Sequence, residues 1–285
     1  MFRTITRLTV ASALALTCST AQAGLMKIGT ADVEFARPIF GSTGKDTVKL
    51  NYLDRNNVQR SMRTNAGRFS GSATADGFDA DIFYENADLV YLYCIDLYER
   101  IGSGWDVTYD VHTLDNDSPN TLVDDGHPVR NFDRTLTFLG ALNYTLADEY
   151  GFDTSNYNWL NPTSGWMSGA IQLGIWESLY ERNTGEGLSS WDILGGNFNV
   201  SGSGKGSNAI DPKGLNLLQK TFANIGGEDV SALGTQYALI LTNSSKQDMI
   251  AGDPPVDVPV PATALLLLGG VGLLRRGSRR TTAAS

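Results

Sequence analysis

The sequence has very few of the residues that bind metals or form disulfides. Its 285 residues include two cysteines and two histidines, so the chain has hardly enough of the usual Cys and His ligands for a zinc site. Basic residues are also scarce, with 22 Lys and Arg against 31 Asp and Glu, and the net charge is −9. A nucleic-acid surface needs clustered basic residues, and this balance argues against one.

Hydrophobic residues make up 41% of the chain and charged residues 19%, which is typical of a globular protein. The two ends differ from this average. Residues 1–23 combine Arg3 and Arg7, an apolar run and the small-x-small pattern Ala21-Gln22-Ala23. This pattern predicts a secretory signal peptide that signal peptidase removes after Ala23. Two alternatives remain open, a lipoprotein modified at Cys18 and a retained N-terminal anchor.

The other end is proline-rich, then apolar, then basic. Residues 262–274 form an apolar run of thirteen residues, about 20 Å as a helix, which is short for a bilayer core of about 30 Å. The candidate sorting residues are Val258, Pro259, Pro261, Ala262, Arg275 and Arg276.

This ending, residues 258–285, resembles a PEP-CTERM sorting signal of the VPxPA type, although Val260 stands where the eponymous motif has Glu. The resemblance implies recognition by an exosortase, transient residence in the inner membrane through 262–274, and export to the cell surface or biofilm matrix of a Gram-negative bacterium. An ordinary single-pass anchor is the alternative. The two ends carry six arginines and no acidic residue, so the part between them has a net charge of −15.

Between the ends, residues from about 26 to 112 are rich in β-branched and aromatic residues, as in TVKLNYL and WDVTYDVHTL, and predict strands. Apolar spacings of three and four predict helices from about 133, over 164–181 and over 211–224, and QYALILT predicts a returning strand. We therefore expect an α+β fold: a β-rich, sandwich-like or barrel-like domain over 24–251 with a helical insertion at about 131–225. Residues 252–257 are a spacer.

Removal of the signal leaves a single cysteine, Cys94, within the strand-like run Tyr91-Leu92-Tyr93-Cys94-Ile95-Asp96. An unpaired cysteine in an exported protein is unusual. It is either a small buried hydrophobe, half of an intermolecular disulfide, or a reactive group. In the second predicted helix, Gln172 interrupts the apolar sequence Ala170-Ile171-Gln172-Leu173-Gly174-Ile175-Trp176.

The order YCID, FLGALNYTL, QLGIW resembles the thioester domain of bacterial surface adhesins. In that family a strand cysteine bonds to a glutamine of a T-Q-x-A-I-W helix; here Ile171 and Gly174 replace the usual Thr and Ala. The resemblance implies that Cys94 attacks the amide of Gln172, releases ammonia and leaves an internal thioester, which an amine or a polysaccharide hydroxyl on a partner can open. Because that reaction consumes the bond, the resemblance implies covalent attachment rather than enzymatic turnover.

Two neighbouring residues are candidate supports for this pair. Asp96 either assists proton transfer or binds a neighbouring backbone group, and Trp176 either shields the bond from water or fills the core. We expect no cofactor and no metal.

Three other interpretations remain. Cys94 could serve an enzyme of the Cys–His type with His112 or His127 as its base. The acidic segment containing Asp115, Asp117, Asp124 and Asp125 could bind calcium, but its spacing fits no EF-hand and a solvated loop is the simpler interpretation. The third is a noncovalent adhesive or structural surface protein in which Cys94 and Gln172 only pack.

Overall fold

The computed structural model describes residues 25–253 except 79–82, 86, 123–129, 183–190 and 205–207. The strands are β1 Met26–Phe35, β2 Asp46–Leu53, β3 Gln59–Ala66, β4 Phe69–Asp76, β5 Val90–Cys94, β6 Asp106–Thr113, β7 Thr121–Leu122, β8 Arg130–Asn131, β9 Asn199–Val200, β10 Ala238–Thr242 and β11 Met249–Gly252. The α-helices are α1 Phe132–Tyr150, α2 Gly165–Tyr180 and α3 Pro212–Asn224.

Six strands close into a barrel in the order β1-β4-β5-β11-β10-β6, with every neighbouring pair antiparallel. The burial pattern of β1 shows which of its faces points into the core. Ala31, Val33 and Phe35 are buried, while the residues between them are exposed. Successive side chains on a strand point to opposite faces, so this pattern directs one face of β1 into the core.

All three helices lie between β8 and β10 in the chain, and they pack against one another. Helix α1 begins at Asn131, whose side chain accepts a hydrogen bond from the backbone N–H of Asp133, and it ends at Gly151 in the left-handed conformation. Helix α3 begins at Asp211, which caps the backbone N–H of Lys213. Helix α2 also packs against β2 and β3 of the smaller sheet, whose order is β3-β2-β9.

The α+β, β-rich, barrel-like fold with a helical insertion is confirmed. The predicted helices agree with α1, α2 and α3 to within two residues at the ends compared. Within the region predicted to be mainly extended, the segment SMRTNAGRFSGS contributes to two strands, β3 and β4, with a reversal at Gly67 and Arg68 between them. The sequence interpretation also missed β11, which pairs with β5 beside Cys94.

Candidate functional site

Cys94 is the last residue of β5 and is fully buried. The Cα of Cys94 lies opposite the Cα of Met249 on β11, and this register sets the position of Cys94 along the barrel axis. Beyond Cys94 the chain leaves the strand and turns back on itself. The Cys94 thiol donates to the backbone carbonyl of Asp96 at 2.7 Å, and Sγ accepts from the backbone N–H of Asp96 at 3.3 Å. This turn holds the sulfur in one orientation.

The side chain of Gln172 lies directly against Cys94. Gln172 Oε1 accepts from the backbone N–H of Cys94 at 2.9 Å, and Gln172 Nε2 donates to the Cys94 carbonyl at 2.7 Å. Gln172 is 1% exposed, so its amide is satisfied by protein rather than by water. The two residues are 78 positions apart in the chain, and the fold brings them together.

Helix α2 can approach the smaller sheet and helix α1 closely because of two glycines on it. A Cβ built on Gly169 would lie 2.5 Å from the Cβ of Asp46 on β2, and one on Gly174 would lie 2.0 Å from the ring of Phe138 on α1. Every residue from Met167 to Tyr180 is buried, so α2 is buried on all sides over this length. Gln172 therefore lies inside the core and not at its edge.

The electrostatics of this site favour a neutral thiol. Burial raises the pKa of Cys94 well above its usual range, and the nearby Asp96 carboxylate raises it further. A backbone hydrogen bond from Asp96 and the indole of Trp176 act in the opposite direction and lower that pKa. The thiol consequently keeps its proton until another group accepts it.

A buried ion pair holds the turn after Cys94. Arg130 lies at the start of β8 and bonds Oδ2 of Asp248 at 2.7 Å and the carbonyl of Ile95 at 3.2 Å. Tyr180, at the end of α2, donates its hydroxyl to the same carbonyl at 3.0 Å and accepts from the backbone N–H of Leu97 at 3.2 Å. These bonds join the turn to β8 and to α2, and Arg130 also joins it to Asp248, the residue before β11.

A cleft of about 940 Å³ opens onto this turn. Trp176 and Leu97 line its base together with Gln247, which donates to the Asp96 carbonyl at 3.2 Å, the oxygen that also accepts from the thiol. Trp176 is 2% exposed, and its indole nitrogen has no partner of hydrogen-bond geometry. Trp176 therefore lines the cleft and also lies near enough to Cys94 to lower the pKa of its thiol.

The structure brings together all four sequence-predicted site residues: Cys94, Gln172, Asp96 and Trp176. Asp96 Oδ1 accepts from the backbone N–H of Tyr98 at 2.7 Å, so its side chain does bind a neighbouring backbone group. Its backbone carbonyl accepts from the thiol. Sequence inspection missed Arg130, Asp248 and Gln247, which lie outside both motifs.

Of the residues in the rival interpretations, the structure describes His112, Asp115 and Asp117. His112 lies on β6 with Nε2 3.0 Å from the hydroxyl of Thr242, and His127 is outside the described residues. Asp115 caps its own loop by accepting from the backbone N–H of Asp117, while Asp124 and Asp125 are not described. Across residues 25–253, apart from the gaps given above, no group of three His, Cys, Asp or Glu side chains is arranged to hold a metal ion.

The predicted signal peptide and the sorting residues Val258 to Arg276 lie outside the described residues. Within the described part of the chain, no helix combines the length and apolarity needed to cross a membrane.

Comparisons of the chain with protein-family models, with curated proteins and with solved structures found no match in any of the three.

Proposed function

We propose that Cys94 and Gln172 form an internal thioester and that the protein uses it for covalent attachment to a partner surface. The observation that carries this proposal is the buried contact in which both polar atoms of the Gln172 amide bond to the backbone of Cys94. Holding two reacting groups in one geometry replaces a bimolecular encounter and gives a high effective molarity. Attack on an amide is otherwise slow.

The contacts around the amide suit each step of the reaction. Sγ of Cys94 bonds to Cδ of Gln172, and the C–Nε2 bond breaks. The backbone N–H of Cys94, 2.9 Å from Oε1, stabilises the negative charge that develops on that oxygen. The thiol proton passes to the departing nitrogen, which leaves as ammonia. Because burial disfavours a free thiolate, proton transfer accompanies the attack on carbon.

The second half of the chemistry is capture of a partner. A hydroxyl or amine of the partner attacks the thioester carbonyl, its proton passes to sulfur, and the Cys94 thiol is regenerated while the partner stays bonded to Gln172. Each molecule reacts once, so the protein is an attachment device rather than an enzyme with turnover. The terminal motifs support export through signal peptidase and exosortase to the cell surface or matrix.

A second candidate is a noncovalent adhesive or structural surface protein. The same two hydrogen bonds support this candidate as well. They join α2 to β5 across 78 residues through the Cys94 backbone, and this link does not require a bond to the Cys94 sulfur. In that case Gln172 satisfies buried backbone groups, and Cys94 packs as a small apolar side chain.

Intact mass spectrometry of the full chain, purified in mild detergent and treated with methylamine, separates the two candidates. Opening a thioester adds about 31 Da of methylamine and exposes one thiol. We expect this gain in the native chain and not in Cys94→Ala or Gln172→Glu. Gln219→Glu, which makes the same substitution at an exposed position on α3, should gain mass as the native chain does. An unchanged native mass, with Cys94 alkylated in the folded state, would establish the noncovalent candidate instead.

A further inference from the structure

The cleft above Trp176 differs in charge from the rest of the protein. Its charged lining residues are Lys45, Arg63 and Arg100 against one carboxylate, Glu99. All three basic residues are exposed. The chain between the two terminal signals has a net charge of −15, so a basic cleft is a local exception. Charges beyond about 8 Å are largely screened at physiological ionic strength, and the cleft therefore decides which ions bind there.

The cleft also presents aromatic side chains and uncharged polar groups. Tyr52 and Tyr98 line it with ring centroids 6.0 Å apart, and Phe40 lines it beneath the ammonium group of Lys45 at 5.4 Å. Aromatic faces pack against the C–H face of a sugar ring, while basic groups pair with carboxylates. At about 940 Å³ the cleft is near the upper end of ligand pockets, which span about 300–1,000 Å³.

We propose that this cleft binds a carboxylate-bearing polysaccharide, a polyuronate, and presents one of its hydroxyls to the thioester. This inference rests on the proposed function, since it names the partner of the same site. A protonated lysine of a protein partner is repelled by three basic side chains, whereas a hydroxyl is neutral and its neighbouring carboxylates are attracted. An acidic peptide shares the carboxylates and lacks the sugar rings and their hydroxyls.

The transfer step balances without any further reactant. The hydroxyl oxygen bonds to Cδ of Gln172, the Cδ–Sγ bond breaks, and the hydroxyl proton ends on Sγ of Cys94. The product is an ester between Gln172 and the polymer. Cys94 and Gln172 are buried and Trp176, which lines the cleft, is 2% exposed, so side chains at this wall of the cleft must move for the hydroxyl to reach the bond.

Three probes of equal length test the proposal on the full chain. Oligogalacturonate carries rings, hydroxyls and carboxylates; a maltooligosaccharide lacks the carboxylates; and an N-blocked oligoglutamate lacks the hydroxyls. Adduct formation is followed by intact mass and by release of one thiol, and noncovalent affinity is measured on Cys94→Ala. We expect oligogalacturonate to form the adduct fastest. Oligoglutamate should bind weakly to Cys94→Ala and form no adduct.

Substitutions on the cleft provide the second arm. An exposed ion pair contributes up to about a fivefold change in affinity, so Arg63→Gln should weaken oligogalacturonate binding about fivefold. Adding Arg100→Gln should bring the loss to about 25-fold if the two sites act independently. Lys213→Gln removes an equally exposed cation on α3, outside the cleft, and should bind as the parent does.

The outcomes separate this proposal from the one it rests on. If methylamine adds to the native chain but the maltooligosaccharide reacts as fast as oligogalacturonate, the thioester stands and the polyuronate is wrong. If methylamine does not add while oligogalacturonate binds with the expected Arg63 dependence, the cleft assignment stands as a binding site and the covalent step is wrong. Absence of Arg63-dependent binding overturns the cleft assignment in either case.

Discussion

Replacing Gly174 by alanine tests how the glutamine helix is positioned. The added Cβ would lie 2.0 Å from Cζ of Phe138, and 2.4 and 2.7 Å from its Cε atoms. That ring cannot move freely, because it packs against Trp191 and Phe222 at centroid distances of 6.4 and 6.1 Å. Overpacking of this kind costs about 1–3 kcal/mol. Alanine regains about 1 kcal/mol over glycine in a helix, so we expect net destabilisation of about 0–2 kcal/mol.

The assay is urea denaturation of the full chain, with the free energy of unfolding taken from midpoints at an unchanged slope. A double-mutant cycle with Phe138→Leu isolates the contact. With the ring removed, Gly174→Ala should become neutral or stabilising, which corresponds to a coupling energy of at least about 1 kcal/mol. Gly214→Ala is the matched control, because a Cβ at this buried helical glycine meets its nearest atoms at 3.1 and 3.4 Å. It should be close to neutral.

Additivity of Gly174→Ala and Phe138→Leu to within about 0.5 kcal/mol would refute the reasoning. The result also bears on the site. Position 174 is one of the two at which the helix motif departs from the adhesin pattern, and the ring of Phe138 supplies the physical reason for glycine there. If α2 is displaced by the extra methyl group, Gln172 should lose its contact with Cys94, and a smaller fraction of chains should take up methylamine.

Two further predictions concern residues beside the pair. Trp176→Ala should open the thiol side of the cleft to water and lower the fraction of chains that take up methylamine, while Trp176→Phe should keep most of it; equal uptake in both would mean that the ring is not a shield. Burial, and then the charge of Glu181, raise the pKa of Glu177 to about 8 from 4.5, so the folded state retains a proton that the unfolded state releases. The contribution of this proton to the free energy of unfolding is fully present below about pH 4.5. It declines by about 1.4 kcal/mol per pH unit above that and is lost once the pH has risen through about 8. Urea titrations of Glu177→Gln should show a flatter profile over that range, and an unchanged slope would contradict the assignment.

Local sequence patterns were sufficient for the three helices, for strand β5 and for the candidate pair. The period of three and four around Leu136 and Leu139 predicted α1, and the β-branched and aromatic run before Cys94 predicted β5, because these periods reflect which face is buried. Cys94 and Gln172 were found as chemically unusual residues within otherwise apolar runs. Strand β11 was missed because Met249-Ile250-Ala251-Gly252 is short and has no alternation.

The sequence by itself determined the α+β composition of the fold, the acidic character of the chain and the identity of the two residues whose chemistry is proposed here. Only the tertiary structure decided that the Gln172 amide bonds to the backbone of Cys94, that Arg130 and Asp248 hold the adjoining turn, and that basic residues from β3 and from the segment after β5 line one cleft. The physical reason is that these contacts join positions up to 118 residues apart. Their distances depend on barrel closure and on helix packing, which no local pattern encodes.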